Sequence, residues 1–226
     1  MIEFPGRPNP ARPDAPAPGT GSGYLAAPSG GRGSGVLVLH SWWGLNDAFM
    51  QMCDGLAVEG FVALAPDAYG TGDAAKSVEE ATERSEQMDL VLAEQILLGA
   101  ADRLTQEFEG PVATVGFSMG SGFGLWLARK RPEHLGGTVL FYGVGEPGDG
   151  RTPVLGHFGA ADEWESAEEV GALEAALREA GRLEAIHRYE GAGHWFAEPD
   201  RPEFDAQASE LAWQRTLGFL RRVLAA

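Results

Sequence analysis

The chain has 226 residues, 44% of them hydrophobic and 22% charged, which suits one soluble domain with a substantial core and leaves little room for a second domain or a large lid. A formal net charge of −16 argues against nucleic acid and against anionic membrane surfaces as partners. The single cysteine, Cys53, excludes an intramolecular disulfide and a cysteine-rich metal site. With no membrane-length apolar run and no leader-like N-terminus, the expected location is cytoplasmic.

Residues 1–22 are rich in proline and glycine and poor in large apolar side chains, and read as an extended surface arm without regular structure. From residue 23 the chain reads as one domain. A short strand, Gly23 to Ala27, precedes the continuous apolar run Gly35 to His40, the pattern of a central strand covered on both faces. Asn46-Asp47 cap a helix that stops at Gly60, and Phe61 to Ala65 is a further buried strand. A long helical region follows from Val78 to Glu107, with a break near Met88-Asp89, and Val112 to Val115 is the next strand. A helix from Met119 to Lys130 leads to strands at Thr138–Tyr142 and Val154–Phe158. Ser166 caps a helix ended by Gly181, Leu183 to Tyr189 is the last strand, and a final amphipathic helix spans Phe204 to Leu224. This alternation predicts an α/β fold: a mostly parallel sheet of about seven strands with helices on both faces and no cap domain.

Ligand sites in such sheets gather at the carboxyl ends of the strands. There the chain carries Gly116-Phe117-Ser118-Met119-Gly120, a Gly-x-Ser-x-Gly sequence between a strand and a helix. That is the form of a nucleophile elbow, a turn sharp enough to hold Ser118 in a strained conformation with its hydroxyl exposed. A serine hydroxyl needs a base to take its proton, and the base needs a carboxylate to orient it. Asp162 and His194 each follow a later strand, in the Ser–Asp–His order of α/β-hydrolases, with Glu163 as the substitute orienter. His134, His157 and His187 read as structural, and Cys53 as a small core residue. The Met119 N–H, one residue beyond the nucleophile, is the expected first donor to an oxyanion, and Trp42 N–H the second, with Ser41 N–H next. Trp42, Trp43, Phe117, Trp195 and Phe196 are expected to line a small aromatic pocket, with a place in the core as the alternative for each.

His40-Ser41-Trp42-Trp43-Gly44-Leu45-Asn46-Asp47, Ala65-Pro66-Asp67-Ala68-Tyr69-Gly70, the Ser118 motif, Phe158-Gly159-Ala160-Ala161-Asp162-Glu163 and Gly193-His194-Trp195-Phe196 together resemble the dienelactone hydrolase family. Ala212-Trp213-x-Arg215-Thr216 extends the likeness, which runs from about residue 23 to the end. The resemblance implies a lid-less α/β-hydrolase that cleaves small esters or lactones without a cofactor; a monomer or weak homodimer is expected. Three positions depart from the family's pattern. Ser118 stands where founding members carry cysteine, and Ser41 where they carry a glutamate thought to set that cysteine's charge state. Losing both together is chemically coherent, because a serine has no thiolate to manage. Glu198 stands where dienelactone-cleaving members place an arginine for the substrate carboxylate, which favours neutral esters. Ser41 and Glu198 thereby join the expected substrate pocket.

Overall fold

Eight strands and six helices carry the apolar segments of this sequence, in a computed structural model that describes residues 1–108, 110–148 and 151–225. The chain forms two units, one ending at Val112 and the other beginning at Ala113.

The first unit holds β1 (Ile2–Pro5), β2 (Thr20–Ala26), β3 (Gly35–Leu39), α1 (Asp47–Val58), β4 (Val62–Pro66), α2 (Val78–Glu86) and α3 (Leu90–Glu107). Its strands lie in the order β1-β2-β4-β3. β3 runs parallel to β4, whereas β2 pairs antiparallel with β4 and β1 antiparallel with β2. β3 and β4 are buried at every position, as the unbroken apolar runs predict for strands covered on both faces. The helix starts follow their caps. Asn46 accepts from Phe49 N–H, Ser77 from Glu80 N–H, and Asp89 from Val91 and Leu92 N–H. Asp89 is thus the start of α3 and the reason the long helical region divides in two.

Residues 1–22 depart from the expectation of an irregular arm. Ile2–Pro5 forms an edge strand in register with Thr20–Gly23, so β2 begins three residues earlier than its apolar pattern suggests. Phe4 is buried, Asn9 and Arg12 both bond to Glu94, and Arg7 pairs with Asp102. Backbone pairing and ion pairs anchor a segment whose side chains alone carry little strand signal.

The second unit holds β5 (Val112–Phe117) from its second residue on, α4 (Met119–Lys130), β6 (Leu135–Phe141), β7 (Val154–Gly159), α5 (Ala167–Glu179), β8 (Leu183–Tyr189) and α6 (Ala206–Val223). Its strand order is β5-β6-β7-β8, with β6, β7 and β8 parallel. Leu125 of α4, Leu140, Val154 and Phe158 of the strands, and Val170, Leu173 and Leu177 of α5 close one core cluster. α5 opens with a capping box, Ser166 accepting from Glu169 N–H while Glu169 reaches back to Ser166 N–H. Across both units the architecture is α/β with eight strands, mostly parallel, one more than expected. No cap domain occurs among the described residues, and no described helix is long and apolar enough to cross a membrane.

Candidate active site

The site forms where β5, β7 and β8 end. β5 passes into α4 through one residue, Ser118, at φ 50° and ψ −116°. A side chain at Gly116 would put its Cβ 2.3 Å from Gly120 O and 2.6 Å from Ser121 N, so only glycine permits so abrupt a reversal. Ser118 N–H donates to Phe141 O at 2.8 Å, which fixes the turn against the end of β6. At the N-cap of α4 the Ser118 side chain makes no capping bond. Its Oγ instead lies 3.0 Å from Nε2 of His194.

His194 is almost wholly buried, and its Nδ1 lies 2.8 Å from Oδ2 of Asp162. The other carboxylate oxygen of Asp162 accepts the N–H groups of Trp164 (2.8 Å) and Glu165 (3.0 Å). Burial opposes ionisation of Asp162, but the bonds from His194 and from these backbone groups outweigh it and hold the carboxyl below its ordinary value of 3.8. The loops bearing Asp162 and His194 are stitched together, Ala160 N–H to Tyr189 O and Ala161 N–H to Ala192 O, both at 2.9 Å. A Cβ on Gly159 would meet Ala192 O at 2.3 Å, so glycine at the end of β7 is what lets these loops touch.

Three non-glycine residues among those described have positive φ: Ser118 (50°), Tyr142 (37°) and Trp195 (54°). All three belong to this site. The Tyr142 ring lies 5.1 Å from that of His194, and the Trp195 ring stands edge-on to it at 5.0 Å. Each such residue costs on the order of 1–3 kcal/mol, so strain is concentrated around one imidazole.

Beneath His194 the expected pocket residues Phe117, Phe196 and Glu198 are fully enclosed and do not form an open lining. Phe117 stacks on Phe141 at 4.7 Å, and Phe196 packs on Tyr142 at 5.4 Å. The Tyr142 hydroxyl donates to Glu198 Oε1 at 3.1 Å. Burial, the charge of Glu198 and this hydrogen bond all keep the phenol protonated, well above its ordinary value of 10. A buried carboxylate needs such donors, and the Tyr142 hydroxyl supplies one. Tyr142 and Trp164 were not among the residues singled out from sequence. Tyr142 directly follows β6 and Trp164 lies two residues past Asp162, so strand-end position was the signal that pointed to both.

Met119 is the first residue of α4, directly after Ser118. Ser41, Trp42 and Trp43 belong to the first unit, in the loop after β3. The rings of Trp42 and Trp43 meet edge-on at 5.5 Å, Tyr69 OH donates to Trp42 O at 2.9 Å, and Ser41 is buried. His157 sits in the core between Tyr189 OH (2.8 Å) and Thr216 Oγ1 (3.1 Å), stacked on His187, in keeping with structural roles for both. No cluster of three or more His, Cys, Asp or Glu side chains placed to hold a metal ion occurs among the described residues.

Strands ending in a Gly-x-Ser-x-Gly turn, with aspartate and histidine on later strand ends, define an α/β-hydrolase. The model of the dienelactone hydrolase family matches residues 22–224, and the chain belongs to that family of hydrolases. A carboxymethylenebutenolidase from Pseudomonas sp. is 30% identical over 227 residues, covering 93% of each chain. Protein usf of Aquifex pyrophilus is 28% identical over 89% of this chain and 93% of its own. The crystal structure of a dienelactone hydrolase-like promiscuous phosphotriesterase from metagenomic libraries superposes with a TM-score of 0.81 at 23% identity, covering 99% of this chain and 98% of that one.

Proposed function

We propose that this chain is a serine carboxylesterase acting on small neutral esters. Ser118 Oγ attacks the ester carbonyl while its proton passes to Nε2 of His194. Asp162 holds the Nδ1–H of His194 and stabilises the imidazolium. Met119 N–H donates to the oxyanion of the tetrahedral intermediate. His194 then returns the proton to the leaving alcohol as the carbon–oxygen bond breaks, which leaves an acyl-serine. Water, deprotonated by His194, cleaves the acyl-enzyme and restores Ser118. The observation that carries this reading is the unbroken line from Ser118 Oγ through His194 to Asp162, at 3.0 and 2.8 Å, with the serine held at positive φ.

A second reading, hydrolysis of an unsaturated lactone bearing a carboxylate, is favoured by the relative named carboxymethylenebutenolidase. Against it stands the lack of a cation at position 198: the resemblance leads one to expect an arginine there, and this chain has an acid turned inward to Tyr142. The separating experiment compares the purified protein on a short-chain aryl ester and on such a lactone. The ester is expected to be the faster substrate; faster lactone turnover would replace the first reading with the second. Ser118→Ala is expected to lower kcat by at least ~10³-fold with the fold intact, and an unchanged rate would remove Ser118 from the mechanism.

A further inference from the structure

Trp164 is 56% exposed, which is unusual for the largest apolar side chain and costs unburied area that a purely structural residue would hide. It is also firmly placed. Its backbone N–H donates to Asp162 Oδ1 at 2.8 Å, its ring lies 5.5 Å from that of Trp195, and that ring lies 6.1 Å from the imidazole of His194. Trp195, the neighbour that props it, is buried and held at φ 54°. The result is an indole with open surface beside His194.

We infer that Trp164, propped by Trp195, is a stacking platform for a flat aromatic group on the alcohol side of the ester. This rests on the esterase reading above for its assignment of sides. A leaving oxygen must come within hydrogen-bond reach of His194 Nε2 to take its proton, so the substituent it carries lies against the imidazole. A ring on that oxygen is within range of an indole centred 6.1 Å from His194. The acyl side is held at Ser118 and Met119 N–H. Offset aromatic stacking of this kind discriminates an aryl from an alkyl alcohol by roughly 3- to 10-fold.

The test uses Trp164→Ala, which keeps the backbone N–H that Asp162 needs, and Trp164→Phe, which keeps an aromatic face. The ratio of kcat/KM for 2-naphthyl acetate to that for ethyl acetate is expected to fall about 3- to 10-fold in Trp164→Ala, chiefly through KM, and to recover partly in Trp164→Phe. A ratio left unchanged, or a loss specific to methyl benzoate, whose ring lies on the acyl side, would overturn the inference. Equilibrium titration with 2-naphthol gives a readout independent of turnover: binding to the wild type, weakened several-fold in Trp164→Ala, is the expected result. Equal binding to both proteins, or none to either, would overturn the platform even with esterase activity present. Naphthol binding that depends on Trp164 in a protein that cleaves no ester would instead sink the esterase reading and leave the platform standing.

Discussion

His40 and His194 each follow a strand directly or by a short loop, yet they are held in opposite ways. Nε2 of His40 accepts the N–H of Ala68 at 3.0 Å, so the proton sits on Nδ1, which donates to Ser41 O at 2.7 Å. Both nitrogens are satisfied by backbone, and the ring stacks on Tyr69 at 5.6 Å. His194 has side-chain partners on both nitrogens, a carboxylate on one and a serine hydroxyl on the other. A histidine tied to two peptide groups cannot exchange its proton without breaking the fold, whereas one between an acid and an alcohol can pass a proton at little structural cost. What separates the two histidines is the identity of their partners, since both are buried.

The sharpest way to break the comparison is to spoil one partner of His194. Asp162→Asn keeps the shape of the side chain but presents an amide to Nδ1, and kcat on an aryl ester is expected to fall by about 10³- to 10⁴-fold with unfolding little changed. His40→Leu should show the reverse. It strands Ala68 N–H and Ser41 C=O in the interior, and denaturant unfolding is expected to register a loss of about 2–4 kcal/mol. Tyr142→Phe takes one donor from the buried Glu198 and loosens the ring under His194. A loss of about 1–3 kcal/mol in unfolding free energy is expected, with a smaller fall in kcat than Asp162→Asn produces.

The last effect is set by pH. Burial holds His40 below its ordinary value of 6.5, and burial together with His187 and Arg215 holds His157 well below it. Both are neutral in the folded chain and take up protons once unfolded. Their contribution to stability is therefore complete above about pH 6.5 and is lost as pH falls below it, by up to ~1.4 kcal/mol per pH unit for each group. Unfolding midpoints measured from pH 7 down to pH 5 should decline accordingly; a flat profile would mean that neither ring is kept neutral.

Much of this was legible in the sequence because the physics is local. The ends of α4 and β8 follow directly from their residue patterns, and the break before α3 follows from Asp89 as a cap. Ser118, Asp162 and His194 were legible because strand ends gather ligand sites and because chain order matched a known arrangement. β1 was not legible: its four residues include Pro5, and it exists through pairing with β2, a non-local event that leaves little trace in side-chain pattern. The inward turn of Glu198 was hidden for a similar reason, since its partner Tyr142 lies 56 residues away. Position alone made Glu198 look like a substrate contact, and only the fold shows the phenol that it accepts from.

On the proposed reading, His194 and Asp162 activate Ser118. Labelling with a fluorophosphonate, followed by peptide mapping, tests it most directly, because the reagent bonds to a serine only when a base assists the loss of its proton. One label per chain, on Ser118, abolished in Ser118→Ala and strongly slowed in Asp162→Asn, is the predicted result. An unlabelled wild-type protein, or labelling that is indifferent to Asp162, would contradict the account.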